Sequence, residues 1–396
     1  MTRLIEILIS LAIVTALFLL VALVLPSSRH LEEKVETNRK MTIVYDTLNS
    51  LRRFPDWNPL ALRDPKMDIT FSGPTSGVGA TMSYDSDKAQ VGDGSWKITA
   101  TEPRKSVTYA LDNIQRGHDK TMTFHLKPTG RGGRNVEITQ NYDVEYGWDL
   151  LGRYAGLYVS RHVGDDMQLG LERLTNMLAQ VPNNDYAVQG STMADMQFVE
   201  MPAEDLLVVS AGAIERNNVK IQNSMKANME WIHRTMAANN LVAAGPMRIV
   251  TSDFGRETYT FDVVQPVRKA GAASADEGGA EAGAESADAA ADAGTEGEGA
   301  NSANTARAAI TPAAGEPLSG LELLGPVQYL RAEGGRAATA TYKGYMAELE
   351  NVRDALRAWT LTQGEEAIGR PFEVYKNGID QAFTADGQYD VYWMIK

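Results

Sequence analysis

Glu373 is the residue best placed by its neighbours to move a proton or to hold a cation. It lies in "GRPFEVYKNG", residues 369–378. Gly369 and Pro371 open this stretch and Asn377-Gly378 close it, so Phe372-Glu373-Val374-Tyr375 reads as a short strand. Alternate strand residues share a face, which turns Phe372 and Val374 one way and Glu373 and Tyr375 the other. The second face either meets water, the usual arrangement of a half-buried strand, or lines a pocket with a carboxylate beside a tyrosine. In a pocket, burial raises a carboxylate's pKa and suits it to act as a general base near neutral pH. The same burial serves recognition of a cation, which is the preferred role.

Other catalytic patterns are missing from the sequence. The five histidines, His30, His118, His125, His162 and His233, are scattered, with no H-E-x-x-H or paired metal spacing, so no metal site is expected. There is no G-x-S-x-G elbow, no Walker loop and no dinucleotide fingerprint, and no cofactor is expected. His125 shares a strand face with Thr121 and Thr123 and is read as an exposed or simply hydrogen-bonded histidine. The chain has no cysteine, which excludes disulfides, thiolate nucleophiles and cysteine zinc sites. A net charge of −13 argues against a nucleic-acid surface.

The elements that would position Glu373 begin behind a hydrophobic segment. Ile7–Leu25 carries no charge, and only Ser10 and Thr15 interrupt it. About 20 such residues span a bilayer, whereas a cleaved signal has an apolar core of about 7–15. Residues 4–25 are therefore expected to be an uncleaved transmembrane anchor. Arg29, Lys34, Arg39 and Lys40 follow it and mildly favour a cytoplasmic body, but long domains translocate largely regardless of charge. The body is placed outside the cytoplasm, behind a single pass through a bacterial inner membrane.

With 396 residues and 43% hydrophobic content, about two or three domains with ordinary cores are expected. Residues 40–182 read as a short helix, then the strand-like runs "DITFSG", "GATMSYD", "SWKITATEP", "SVTYALD", "KTMTFHLKP" and "NVEITQNYDV", then a long helix over about 148–180 with a break at Gly164-Asp165. Turn residues punctuate the runs, as in an antiparallel meander. Met167, Leu171, Leu174 and Leu178 give the last helix one apolar stripe. Residues 269–316 form a low-complexity insertion. Between 271 and 300 it carries eight acids and no Lys or Arg, too little apolar surface to offset its ordering entropy.

Residues 195–396 contain a pseudo-repeat that the insertion interrupts. The first copy runs "DLLVVSA", the helix "NSMKANMEWIHRTMAANN", "GPMRIVTSD" and "ETYTFDVVQPV". The second runs "RAATATYKG", the helix "YMAELENVRDALRAWTLTQG", "RPFEVYKNG" and "GQYDVYWMI". Each is a β-α-β-β unit. In this register Trp231 matches Trp359, Pro246 matches Pro371 and Arg248 matches Glu373, so only one half offers the carboxylate. Duplicated halves commonly leave a ligand cleft along their pseudo-two-fold axis.

Two family resemblances attach to these segments. Residues 40–182, with "FPDWNPL", "DP" at 64–65, "GVGATMSYDSD", "EP" at 102–103 and the closing helix, resemble an SRPBCC (polyketide cyclase/START-like) domain. That resemblance implies a helix-grip fold around an apolar cavity that binds lipids, sterols or polyketides. Residues 195–396 resemble a GyrI-like, or AraC-type effector-binding, domain through "TYKGYMAEL", "AWTLTQG", "RPFEVYKNG" and "YDVYWMI", although the family's proline after Gly344 is absent. It implies a pocket for bulky, cationic or aromatic ligands, with Glu373 as its acid, Tyr375 beside it, and Tyr342, Tyr345, Trp231 and Trp359 as wall candidates. Helical packing alone also accounts for the two tryptophans.

The expected fold class is thus α+β: a transmembrane helix, a helix-grip antiparallel sheet domain, and a duplicated β-α-β-β domain. The expected role is a membrane-anchored binding protein for hydrophobic, amphipathic or cationic small molecules, with two tandem pockets. The alternatives are a hydrolase of electrophilic small molecules with Glu373 as general base, and a protein-interaction module of the gyrase-inhibitor kind.

Overall fold

The computed structural model describes residues 2–187, 193–271 and 316–396. The acidic insertion expected at 269–316 therefore lies, for 272–315, outside the described residues. Helix α1, Thr2–Val24, is long and apolar enough to cross a bilayer, and a signal sequence near an N-terminus has the same character. The chain then divides into two compact units, each an α+β arrangement around one antiparallel sheet.

The first unit comprises Met1–Ala194 with Glu348–Ile368 and Lys396. After α1 come β1 (Ser28–Thr37), α2 (Met41–Asn49), α3 (Phe54–Trp57) and α4 (Leu60–Arg63). Strands β2 (Asp68–Ser72), β3 (Thr81–Asp85), β4 (Gly94–Glu102), β5 (Ser106–Asn113), β6 (His118–Thr129) and β7 (Asn135–Glu145) follow. The seven strands lie in the order β1-β7-β6-β5-β4-β3-β2. This is a helix-grip-like sheet, a meander closed at one side by the first strand. Strand β1 pairs with β7 from Ser28↔Glu145 to Thr37↔Val136. No strand is expected there from sequence, because in "SRHLEEKVET" only Leu31 and Val35 are apolar and charges fill the outer row. Such charge is characteristic of an edge strand, where it discourages pairing with other chains.

The helix expected over 148–180 is not continuous. It consists of α5 (Leu150–Ala155), a 3-10 turn at Gly156–Tyr158, a π turn at Ser160–Gly164 and α6 (Asp165–Leu178). The irregularity is spread over 156–164 rather than confined to one break at Gly164-Asp165. Met167, Leu171, Leu174 and Leu178 are all buried, as their spacing predicts. Burying each such side chain contributes about 1.5–3 kcal/mol.

The second unit comprises Asp195–Ala347 and Gly369–Ile395. Its strands are β8 (Met193–Met201), β9 (Glu204–Glu215), β10 (Leu241–Ala243), β11 (Arg248–Phe254), β12 (Thr258–Lys269), β13 (Gln328–Ala332), β14 (Gly335–Lys343), β15 (Phe372–Tyr375) and β16 (Gln388–Met394). Helix α7 (Asn218–Ala238) lies between β9 and β10 in the chain. Helix α8 (Leu349–Thr362) lies between β14 and β15, and is grouped with the first unit. There Arg53 Nη1 donates to the Leu361 carbonyl at 2.8 Å, and the hydroxyls of Tyr186 and Thr362 lie 3.3 Å apart.

The strand order of the second sheet is β13-β9-β12-β11-β15-β16-β14-β8, with β10 beside β12. The order reads as two mirrored halves joined between β11 and β15. At that join Arg248 faces Val374, Ile249 faces Glu373 and Val250 faces Phe372. Two copies related by a two-fold axis require this reciprocal pattern, since Arg248 matches Glu373 and Ile249 matches Val374 in the repeat.

Candidate functional site

The inward row of the first sheet sets up the most fully built site. On β7 the alternation places Val136, Ile138, Gln140, Tyr142 and Val144 inside. On β6 it places Lys120, Met122, Phe124 and Leu126 inside. Gln140 and Lys120 are thus polar intrusions into rows that are otherwise apolar or aromatic. Phe54, Trp57, Trp96, Tyr109 and Phe124 form a connected aromatic cluster, with ring centroids 4.8–5.9 Å apart and edge-on geometry throughout. The Tyr109 hydroxyl donates to the Leu48 carbonyl, which satisfies it in the core.

This cluster leaves a cavity of about 90 Å³. Trp57, Trp96, Tyr84, Met122, Gln140 and Tyr142 line it, and Asn113, Ile114, Gln115, Val163 and Asp166 complete its rim. Helix α6 approaches closely at Gly170, where an added Cβ would stand 3.2 Å from Pro59 Cδ.

Gln140 is 3% exposed. Its Nε2 donates to Met122 Sδ at 3.0 Å, and its Oε1 has no hydrogen-bond partner among the described residues. With the nitrogen turned to the weakly accepting sulfur, the oxygen is the atom left unmet. The oxygen is a buried acceptor beside a cavity. Lys120 is 5% exposed and fully engaged: Nζ donates to Asn113 O at 3.2 Å, Asn113 Oδ1 at 2.6 Å and Gln115 O at 2.5 Å. It ties down the rim segment, and burial pulls its pKa below the usual lysine range, with Asp112 opposing.

At the rim Arg63 Nη2 reaches both oxygens of Asp166, at 2.7 and 2.6 Å. Burial raises the Asp166 pKa and the Arg63 charge opposes the rise. The Tyr84 hydroxyl is pushed up to about 12 by burial and by the charges of Asp93 and Asp112. Burial also raises Tyr142. None of these groups is paired as a nucleophile and base. The arrangement is one of apolar walls with a few fixed polar atoms, which suits binding. Among the described residues, no group of three or more His, Asp or Glu is placed to hold a metal.

The residues singled out from the sequence fall elsewhere. Glu373 is 0% exposed and Tyr375 is 2% exposed, so their strand face does not meet water. Thr251 donates its hydroxyl to Glu373 Oε2 at 3.5 Å, and lies 3.0 Å from the Tyr259 hydroxyl. Tyr389 stands edge-on to Tyr375 at 5.0 Å and stacks on Tyr342 at 5.7 Å. Burial, Tyr342 and the Glu373 charge together raise the Tyr389 pKa. The second unit therefore brings Glu373, Tyr375 and Tyr342 into one tyrosine-rich cluster.

The other wall candidates are more scattered. Tyr345 is 52% exposed, and its carbonyl accepts from the Tyr342 hydroxyl at 3.3 Å. Trp231 is partly exposed, with the Arg234 guanidinium 5.3 Å over its ring. Trp359 is half-buried on α8. A separate cavity in the second unit is lined by Arg216, Asn218, Ile221, Phe254, Met346 and Phe383. His125 lies on the exposed side of β6.

Sequence reasoning missed Gln140, Lys120, Tyr84 and the pair of tryptophans, Trp57 and Trp96. A signal was present in "NVEITQNYDV", where Gln140 occupies the inward row. A single polar residue in such a row does not by itself mark a cavity.

No family model matches the chain, and no curated protein matches it in sequence. Among solved structures, a truncated norcoclaurine synthase from Thalictrum flavum is similar to 39% of this chain over 94% of its own, at 10% identity and a TM-score of 0.31. The di-domain ARO/CYC StfQ of the steffimycin biosynthetic pathway is similar to 38% of this chain over 50% of its own, at 10% identity and a TM-score of 0.31. The C-terminal domain of EcmrR is similar to 51% of this chain over 97% of its own, at 12% identity and a TM-score of 0.32.

Proposed function

We propose that the chain is a membrane-anchored binding protein whose first unit holds a small, largely apolar molecule carrying one hydrogen-bond donor. The observation that carries this reading is the buried Gln140 oxygen beside a cavity walled by Trp57, Trp96 and Tyr142. A buried acceptor without a partner costs about 1–3 kcal/mol, a cost that a donor on a ligand removes. Helix α1 is the anchor in this reading, with both units on the extracytoplasmic side. Native mass spectrometry of the full chain released from lipid nanodiscs tests it. A co-purifying small molecule that is lost from Gln140→Leu is the expected result. No retained mass, together with no thermal shift across a panel of amphiphiles, overturns it.

The second unit is read as a GyrI-like pocket for a cationic ligand, with Glu373 as its acid and Tyr342, Tyr375 and Tyr389 as its walls. Burial of Glu373 among these rings supports this, since each aromatic face adds about 0.5–2 kcal/mol of cation–π attraction when desolvated. A Glu373→Gln variant separates binding from hydrolysis. Turnover of an activated ester by the native chain, lost in the variant, would establish the hydrolase instead. A reporter active only outside the cytoplasm, fused after Lys396, eliminates a gyrase-inhibitor-like role if it is active.

A further inference from the structure

Beyond the cavity and α1, the first unit exposes a second concentration of large apolar side chains, at 148–158. Trp148 is 82% exposed, Leu151 53%, Leu157 48% and Tyr158 62%. Leu151, Ala155 and Tyr158 recur at spacings of four and three and are all exposed, and Trp148 lies exposed in the turn that leads into α5. The inward face is made of glycine. Gly152 and Gly156 are buried against the Tyr146 ring, and a Cβ added at either would stand 2.8 or 2.9 Å from it. The segment is pressed flat on the unit by its small residues and presents its largest ones to the outside, the reverse of what water favours.

The same segment is bonded to the end of α1. Arg153 Nη1 lies 3.3 Å from the carbonyls of Ala22, Leu23 and Leu25, which are among the last acceptors of a helix and have no partner within it. The Tyr154 hydroxyl donates to the Phe18 carbonyl at 2.9 Å, and the two rings stack at 4.6 Å. From Phe18 to Leu25 the chain rises about 10 Å at 1.5 Å per residue, so α5 lies beside roughly the last 10 Å of α1. The 23 residues of α1 extend about 34 Å, barely more than the roughly 30 Å of a bilayer's hydrocarbon core. An element beside that last stretch stands at the depth of about 5–10 Å that interfacial helices occupy.

We infer that Trp148–Tyr158 is a second membrane contact, seated in the headgroup–acyl boundary of the lipid bilayer beside α1. This rests on the anchor reading of α1. Trp148, Tyr154 and Tyr158 supply the aromatic side chains that favour that layer, and Arg153 ties the segment to the end of α1. The contact also orients the cavity. Asp149, which caps α5 by accepting from the Gly152 amide at 2.9 Å, pairs at 3.3 Å with Arg116, next to the rim residues Ile114 and Gln115. Val163, another rim residue, lies five positions beyond Tyr158.

The chain has no cysteine, so single sites can carry a nitroxide. Leu151→Cys and Tyr158→Cys are labelled in the full chain, in vesicles of phosphatidylcholine and phosphatidylglycerol. Leu11→Cys serves as the reference within α1 and His125→Cys as the reference in water. The expected result is that both test sites lose collisions with a water-soluble nickel complex and gain collisions with oxygen, as Leu11→Cys does. Aqueous values at both test sites, with a bilayer value at Leu11→Cys, overturn the inference and leave the anchor standing. Aqueous values at all three remove the anchor and the inference together. Dipolar broadening between copies at Leu151→Cys, abolished by dilution with unlabelled protein, assigns the stripe to a second copy and also overturns it.

Discussion

The amide nitrogen of Gln140 lies 3.0 Å from the sulfur of Met122, and the amide oxygen of the same side chain is buried beside the cavity with no hydrogen-bond partner among the described residues. A thioether is a weak acceptor, so this amide is held more by shape than by bonding. Gln140→Leu removes the unmet acceptor while keeping most of the volume. The variant should be more stable by about 1–2 kcal/mol without ligand, because a buried unsatisfied group is lost. It should bind a donor-bearing amphiphile about tenfold more weakly, which corresponds to about 1.4 kcal/mol. Denaturant melts and titration calorimetry read the two effects separately, and their opposite signs distinguish recognition from packing.

Lys120 organises the rim without lining the cavity. Its ammonium gives all three protons to acceptors on Asn113 and Gln115. Lys120→Met retains the apolar stem and strands those acceptors, so a loss of about 1–3 kcal/mol is expected. Amide exchange should accelerate at 113–117 more than in the aromatic cluster around Phe124. Uniform acceleration throughout the unit would show that Lys120 supports the whole fold rather than the rim.

Tyr84 gives the cavity a pH signature. Its folded pKa of about 12 lies above the free value of 10.0, so the folded state keeps the phenol proton longer than the unfolded state does. Its share of stability is complete below pH 10 and is lost as pH rises toward 12. Ultraviolet titration of the phenolate band, read as the native chain minus Tyr84→Phe, should isolate one late step for Tyr84 from those of the other buried tyrosines, Tyr142 and Tyr389 among them. Gly94→Ala should pull that step toward pH 10 and also cost stability, because its Cβ would stand 2.4 Å from the Tyr84 hydroxyl and 2.3 Å from the Asp112 carbonyl on the neighbouring strand, displacing both.

Much of this architecture was legible in the sequence, for reasons that differ by element. The six strands between 68 and 145 announce themselves because they alternate cleanly and are bounded by turn residues. The repeat in the second unit is visible as two strings with matching prolines, and the β11–β15 register bears out that match. Strand β1 was hidden because an edge strand carries charges on its outer row, which mask Leu31 and Val35. The cavity was hidden for another reason. Its polar atoms come from residues distant in sequence, Arg63, Tyr84, Gln140 and Asp166, and no local spacing records their convergence. Glu373 was singled out because its neighbours were local. Its burial was not legible, since alternation alone made its face the wet one.

The final prediction concerns that residue. Across the join of the second sheet, Glu373 faces Ile249, while Arg248, its counterpart in the repeat, is bound by Glu204 through contacts of 2.6 and 2.9 Å. The Arg248 charge is therefore matched within its own half, and Phe372 covers it at 5.2 Å. Glu373→Gln keeps the shape and the acceptor for Thr251 while removing one negative charge. If the tyrosine-lined cluster receives a cation, a hydrophobic quaternary ammonium should bind at least about tenfold more weakly to the variant, as expected for loss of a charge-assisted contact of about 1.5–3 kcal/mol. A neutral ligand of the same size should bind the two proteins equally. Equal binding of the cation would show that the carboxylate serves the packing of Tyr259 and Tyr389 and not a ligand.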